Sequence, residues 1–189
     1  MLPPILNYTD KFIIEYGDSV SCRLEIRRIL VPYDSSAFSE NALDYAVYLA
    51  NMIFKSNPKG QIIRIIILHV IQELPITKSV LDKMTSMYED EKPSLDKCIT
   101  SIYQEIRNLI EVDIEKKNQK YRSIDGISIE PIIIYGDPSN QIVKFANENR
   151  VDMIVIGSNG LQGIAKIKGL GSVSRKVSEN VECPLVIIR

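Results

Sequence analysis

The sequence predicts an α/β fold, a five-stranded parallel doubly wound sheet of the Rossmann-like type. Short apolar runs alternate along the chain with amphipathic stretches whose apolar residues recur every three or four positions. The apolar runs are continuous rather than alternating, as a sheet covered by helices on both faces requires. This order of elements indicates parallel strands joined by helical crossovers.

The regular pattern begins at residue 27. RRILVPY (27–33) is predicted to be the first strand, and DSSAFSENALDYAVYLANMIF (34–54) the first helix. Ser35, Ser36 and Ser39 are candidate caps for that helix because their hydroxyls can accept hydrogen bonds from free backbone N–H groups. After the turn SNPKG, the run QIIRIIILHV (61–70) is predicted to be a buried strand.

The second half continues the alternation after an irregular connection over residues 71–93. Residues 94–120 are predicted to form a long helix whose apolar stripe includes Ile102, Ile106 and Leu109. The turn YGDPSN is expected to cap the next helix through Asp137 or Ser139. The remaining predicted elements are strands at 127–135, 151–157 and 183–189, and helices at 141–150 and 172–181.

Composition narrows the class of protein. The 189 residues carry a formal net charge of −1 and no basic stripe, which argues against nucleic acid as a partner. The longest apolar run is broken by Arg64 and is too short to span a bilayer, so no membrane association is expected. Three scattered cysteines and the lack of a basic N-terminal segment favour a cytoplasmic protein.

The chain is expected to form one domain over residues 27–189, preceded by an N-terminal extension at 1–26. Within the extension, FIIEYG and SCRLEI are compatible with a hairpin, an added edge strand or an ordered arm. The sequence leaves these three alternatives open.

The stretch GSNGLQGIAKIKGLGSVSRKV (157–177) holds five of the nine glycines of the chain. It contains no Gly-Lys-Ser/Thr, which excludes a Walker loop, and GLGSVS does not follow the first strand as a dinucleotide fingerprint would. Gly171, Ser172 and Ser174 stand at the start of a predicted helix, where free N–H groups and the helix dipole favour an anion. A phosphate site and a glycine-rich turn with a serine cap both fit this pattern.

These residues resemble the universal stress protein family, whose nucleotide-binding members carry G-x2-G-x9-G-[ST]. The chain has Gly157 and Gly160, then Gly171-Ser172, with ten rather than nine residues in between. ILVPYDSSAFSENAL, ILHVI and CPLVIIR also resemble family segments, so the likeness covers about residues 27–189. The resemblance implies an adenine-nucleotide alpha-hydrolase-like fold.

The resemblance also implies an adenine nucleotide site. Asp34 would bind the adenosine moiety, beside a wall formed by Pro32 and Tyr33. The Val70 backbone would meet the adenine edge, and Gly157 would lie by the ribose. The implied set for the rest of the nucleotide, including the phosphate cradle, consists of Ile156, Ser158, Gly160, Gly171, Ser172, Val173 and Ser174.

The function implied by this resemblance is a nucleotide-binding stress-response or signalling protein. Its cofactor would be ATP or AMP, with Mg²⁺ as a further candidate at the phosphates, and it would be at most a slow or partner-dependent ATPase. A homodimer through the C-terminal strand is implied, and an unidentified protein partner is compatible. Two alternatives stay open: the same fold acting as an interaction module without nucleotide, and a hydrolase or ligase for an adenylated substrate.

Other polar residues favour structural roles. His69 is the single histidine of the chain and cannot build a catalytic triad or a histidine-rich metal site on its own. The charged run EKKNQK (115–120) is expected to be solvated surface, and Cys183 is expected to pack at a strand start. Lys166, Lys168 and Arg175 could offset phosphate charge, although solvated surface positions are the simpler interpretation.

Overall fold

A computed structural model describes residues 13–15, 21–23, 25–56, 60–72, 95–160 and 169–189. Two three-residue strands near the N-terminus pair antiparallel. The elements in chain order are β1 Ile13–Glu15, β2 Ser21–Arg23, β3 Arg28–Pro32, α1 Ala37–Ser56, β4 Ile63–Ile71, α2 Leu95–Tyr121, β5 Ile127–Tyr135, α3 Pro138–Glu148, β6 Met153–Gly157, α4 Ser172–Asn180 and β7 Leu185–Ile188.

The main sheet has five strands in the order β5-β4-β3-β6-β7. Every neighbouring pair in it is parallel. The chain builds outward from β3 through β4 to β5, returns to place β6 on the other side of β3, and ends at β7. The predicted fold class is therefore confirmed. The gap between the carboxyl ends of β3 and β6 is the switch point at which such sheets bind ligands.

Helices cover both faces of this sheet, as the continuous apolar strands predicted. On one face, Ile29 and Val31 of β3 pack with α1 and with Ile114 and Tyr121 of α2. On the other face, Leu30 packs with residues of α3 and α4, including Ile142, Ala146 and Val177. Alternate residues of one strand thus enter two separate cores.

Only β5 has its predicted bounds, and each of the other elements from β3 onward differs by one to three residues at one or both ends. Helix α3 begins at Pro138, three residues before the predicted start at 141, because Asp137 is its N-cap and accepts a 2.9 Å hydrogen bond from Asn140 N. Proline fits the first helical position since its missing N–H would have no helical partner there. Strand β6 begins at Met153 rather than at 151. The predicted irregular connection at 71–93 lies, beyond residue 72, outside the described residues.

Candidate functional site

The candidate site lies where β3 and β6 end side by side. The register pairs Leu30 with Ile154, which brings the residues after both strands to the same edge of the sheet. Asp34 follows β3 there, and Gly160 follows β6. A Cβ atom built on Gly160 would lie 2.6 Å from Asp34 Oδ2, closer than real Cβ atoms approach other atoms. A side chain at position 160 would therefore push the end of the Asp34 side chain aside.

The Asp34 side chain is fixed by the start of α1. Asp34 Oδ1 accepts a 3.1 Å hydrogen bond from Ser36 N, and Asp34 N donates a 3.3 Å hydrogen bond to Ser39 Oγ. Ser36 Oγ accepts from Ser39 N at 3.2 Å, so Ser36 serves as one of the predicted caps. The serine-rich start of α1 therefore holds the carboxylate at the switch point.

Gly157, the last residue of β6, allows α1 to approach the sheet. A Cβ atom at this position would lie 2.7 Å from the backbone carbon of Phe38 and 2.8 Å from its Cβ. The contact includes backbone, so a larger residue here would displace the start of α1. Ile156 and Ser158 on either side are buried. The close packing of α1 is thus a structural reason for glycine at 157.

The start of α4 is bound to the end of β6 through one carbonyl group. Ser158 O accepts hydrogen bonds from Gly171 N and from Ser174 Oγ, both at 2.8 Å. Ser174 is 2% exposed, and its single hydroxyl proton serves this bond. Ser172 is exposed in the first turn, and Val173 is half-buried. Among the predicted phosphate ligands, Ser172 therefore presents a hydroxyl to solvent, whereas Ser174 positions the helix.

Tyr33 directly follows β3 and is buried in the core. The side chain is 3% exposed and belongs to the core between the sheet, α1 and α2. Its hydroxyl lies 2.5 Å from Glu40 Oε1 and 3.0 Å from Asp113 Oδ2. Burial, followed by these two carboxylate contacts, raises the pKa of Tyr33 far above its usual value. The ring thus supports the site from beneath, while Pro32 before it is buried in the strand.

Two residues of α2 complete this support. Asp113 Oδ2 accepts a 2.8 Å hydrogen bond from Ser35 Oγ, and Lys117 Nζ lies 2.5 Å from Glu40 Oε1. The Lys117 side chain is only 22% exposed, so the expectation that EKKNQK is solvated surface is wrong at this position. Asp113 was not predicted from the sequence. It could have been noticed as a polar residue three positions after Ile110, on the side of α2 that packs toward the sheet.

His69 and Val70 lie near the end of β4 and face opposite cores. Val70 packs in the core with α3 and α4, so contact with a base would be made by its backbone, as the family resemblance implies. His69 is half-buried, and burial lowers its pKa, partly offset by the negative charges of Asp34 and Asp113. Its Nδ1 atom is buried without a hydrogen-bond partner among the described residues.

Several expected contacts lie outside the described residues. These include Lys166, Lys168 and the whole of 161–168, where the one additional residue of the glycine loop falls. Arg175 is exposed, with its guanidinium 3.4 Å from Leu170 O. Cys183 is half-buried against the core with α3 and α4, two residues before β7, as expected. Within the described ranges, no group of three or more His, Cys, Asp or Glu residues is placed to hold a metal ion.

The outward face of α2 departs from the predicted stripe. Ile102, Ile106, Leu109 and Val112 are 53%, 37%, 66% and 55% exposed. Helical spacing places the first three on one side of α2. The predicted stripe of α2 is therefore buried only in part, because Ile110 and Ile114 pack in the core whereas these three residues stay exposed. Among the described helices, none is long and apolar enough to cross a membrane.

Comparison with known proteins places this chain in a family. Residues 25–189 match the family model described as "Universal stress protein family". Universal stress protein YxiE of Bacillus subtilis is 35% identical over 162 residues, which cover 86% of this chain and 98% of that protein. The fold matches that of universal stress protein UspA from Lactobacillus plantarum with a TM-score of 0.68 at 21% identity, covering 86% of this chain and 97% of the other.

A third similar protein was solved with a nucleotide. The structure described as "universal stress protein in complex with cAMP" matches with a TM-score of 0.52 at 20% identity. The match covers 87% of this chain and 97% of that one. At this identity the likeness concerns the fold.

Proposed function

The chain belongs to the universal stress protein family, and from this premise we propose that it binds an adenine nucleotide, ATP or AMP, in a signalling or stress-response role. The observation that carries the proposal is the contact of Asp34 with Gly160 at the switch point of the sheet. Ligands of open parallel sheets bind in the crevice at this position. An acidic side chain and a close-passing glycine backbone are suited to a nucleoside there, since carboxylates accept hydrogen bonds from hydroxyl and amino groups.

The charges at the carboxyl edge of the sheet determine the orientation in which the nucleotide would bind. The Asp34 carboxylate would repel phosphates, so the adenosine moiety lies on its side, next to the backbone of Val70. The phosphates lie by the first turn of α4, because helix N-termini favour anions and the exposed Ser172 hydroxyl can contribute. Mg²⁺ would be carried mainly by the phosphates of ATP, as is usual for this ion in nucleotide sites.

Nucleotide binding within the family supports the choice of ligand. A universal stress protein of the same fold is known in complex with cAMP, which shares its adenosine moiety with ATP and AMP. A site that recognises adenosine through Asp34 and the strand ends would accept the shared part of all three. The number of phosphates tolerated would depend on the glycine loop.

Further parts of the proposal concern assembly, location and turnover. Strand β7 is an edge strand with partly exposed residues, so pairing across a two-fold axis would complete the sheet and form a homodimer. A cytoplasmic location is proposed because the three cysteines of the chain are scattered, as suits a reducing compartment. We assign no catalytic residue, and any ATP hydrolysis would be slow or partner-dependent.

One observation favours a second function, that of an interaction module without nucleotide. Ile102, Ile106, Leu109 and Val112 expose apolar side chains on α2. Grouped exposed apolar residues are typical of surfaces that bind another protein. In this case the lengthened glycine loop would leave the switch point empty, and α2 would carry the function.

Thermal unfolding with added nucleotide separates the two functions. A ligand that binds the native state at 100 times its Kd stabilises it by about 2.7 kcal/mol. ATP with Mg²⁺, AMP and cAMP are added in turn to nucleotide-free protein, with GTP as the base control. Saturable stabilisation by the adenine nucleotides alone supports the proposed function. A folded protein whose unfolding temperature does not move at millimolar nucleotide favours the interaction module.

A further inference from the structure

The turn between β3 and α1 contains a strained residue. Ser35, directly after Asp34, has a φ of 63°, in the left-handed region that side chains other than glycine rarely adopt. Such a conformation persists when surrounding contacts over-determine it. The contact that holds Ser35 matters for the site, because the backbone at Ser35 affects the direction of the neighbouring Asp34 carboxylate.

The contact comes from α2. Asp113 Oδ2 lies 2.8 Å from Ser35 Oγ and 3.0 Å from the Tyr33 hydroxyl, so one oxygen atom meets the residues on both sides of Asp34. The phenol has a single proton and lies closer to Glu40, at 2.5 Å. Ser35 therefore provides the principal hydrogen bond to Asp113. A carboxylate acceptor makes this bond stronger than one between neutral groups.

Other hydrogen bonds and ion pairs connect the contact between Asp113 and Ser35 to Asp34. Glu40 is paired with Lys117, which satisfies the second carboxylate near Tyr33. Ser36 N donates to Asp34 Oδ1, so the geometry of the turn is passed to the Asp34 carboxylate by a direct hydrogen bond. The chain of contacts thus runs from Asp113 through Ser35 and Ser36 to Asp34.

We propose that Asp113 is a positioning residue of the nucleotide site: it holds the left-handed turn at Ser35 and so fixes Asp34 for the adenosine moiety. The inference rests on the proposed nucleotide binding and adds α2 to it. Binding of nucleotide and the position of α2 are then linked. A ligand that orders Asp34 also strengthens the contact of α2 with the turn.

Asp113→Ala tests the role, with Glu115→Ala as a matched control. Glu115 is an exposed carboxylate two residues along the helix whose partners, Asn118 and Gln119, lie on α2 itself. We expect Asp113→Ala to weaken AMP and ATP binding in calorimetry by about tenfold, the loss of one hydrogen bond to a charged group. Glu115→Ala should bind as the wild type does.

Rescue by glycine distinguishes positioning from general packing of α2. Glycine adopts the left-handed conformation without steric cost, so Ser35→Gly should no longer need Asp113 to hold the turn. The double variant Ser35→Gly/Asp113→Ala is expected to bind nucleotide more tightly than Asp113→Ala alone, close to the wild type. Wild-type binding by Asp113→Ala, or a double variant as weak as Asp113→Ala, would overturn the proposal.

A readout without nucleotide separates this proposal from the proposed function. Hydrogen exchange of the Ser36 amide, followed by NMR, should be faster in Asp113→Ala and return toward the wild-type rate in the double variant. An unchanged rate in Asp113→Ala would contradict the positioning role whether or not nucleotide binds. If the wild type binds no nucleotide, the proposed function fails, and the exchange rates still decide what Asp113 does to the turn.

Discussion

Asp34 and Gly160 face each other across the carboxyl edge of the sheet, where a Cβ atom at position 160 would lie 2.6 Å from Asp34 Oδ2. The two residues come from turns after different strands, and the parallel pairing of β3 with β6 brings them together. This contact defines the inner wall of the proposed nucleotide site. Predictions for the site follow from how closely the two groups approach.

Gly160→Ala is expected to displace the Asp34 carboxylate and to weaken AMP binding by tenfold or more, because nucleotide contacts depend on its position. The unfolding free energy should fall by only about 1 kcal/mol or less, because the added methyl group meets the end of a side chain that can move aside. Calorimetric titration and urea unfolding measure the two effects.

Gly60→Ala is the control for that variant. Gly60 has a φ of 58° and open space around it, so alanine there should cost about 1–2 kcal/mol without touching the site. Equal AMP affinity in the two alanine variants would show that the contact between Asp34 and Gly160 does not shape the site.

Ser174→Ala should loosen the start of α4, because Ser174 Oγ donates to the carbonyl group of Ser158. We expect a loss of about 1 kcal/mol of unfolding free energy, the usual net value of one hydrogen bond, and weaker binding of nucleotide phosphates. Ser178→Ala on the same helix is the matched control, since that exposed hydroxyl donates to Arg175 O within the helix. If both variants unfold at the same urea concentration, Ser174 does not hold the helix to β6.

Tyr33→Phe should make the stability of the protein less sensitive to alkaline pH. The folded-state pKa of Tyr33 lies above its unfolded value of 10.0, so the native state holds this proton more tightly than the unfolded chain does. The stabilisation is fully present below pH 10 and is lost as pH rises toward the folded pKa. Urea unfolding between about pH 8 and pH 11 should show a steeper loss in the wild type than in Tyr33→Phe. Parallel curves would contradict the buried, carboxylate-bound phenol.

His69→Leu should make stability less sensitive to acid. Burial lowers the folded-state pKa of His69 below its usual 6.5, so the unfolded chain binds this proton more readily than the native state does. The stabilisation is present above pH 6.5 and is lost as pH falls toward the folded pKa. The chain has one histidine, so the difference between the wild-type and variant curves reports on this residue. A wild-type curve no steeper than that of the variant would contradict the buried neutral imidazole.

The strands of the main sheet were predictable because their apolar runs are continuous. Residues 127–135 were predicted as a strand and form β5 with the same bounds. The starts of helices were less predictable, since two or more neighbouring polar side chains can each serve as the N-cap. Asp137 and Ser139 were both candidates, and the side chain that accepts from Asn140 N is that of Asp137. Local sequence does not decide between such neighbours.

The contacts around Asp34 were beyond sequence reasoning. Asp113 reaches Ser35 from a helix 78 residues later in the chain, and Asp113 lies outside the segments quoted for the family resemblance. The family resemblance implies that Tyr33 forms part of the wall beside the adenosine moiety. Side chains alternate along a strand, however, and its ring enters the core beneath α1 and α2. Periodicity predicted the apolar stripe of α2, but it does not say which of the stripe residues are covered by the rest of the fold.

The most direct test of the central claim is a calorimetric titration of AMP and ATP into nucleotide-free wild-type protein and Gly160→Ala, both verified as folded by circular dichroism. The account predicts saturable binding of adenine nucleotide by the wild type and binding at least tenfold weaker by Gly160→Ala, because the added Cβ displaces Asp34. No heat of binding at millimolar nucleotide with the folded wild type, or equal affinity in the two proteins, would contradict a nucleotide site at the contact of Asp34 with Gly160.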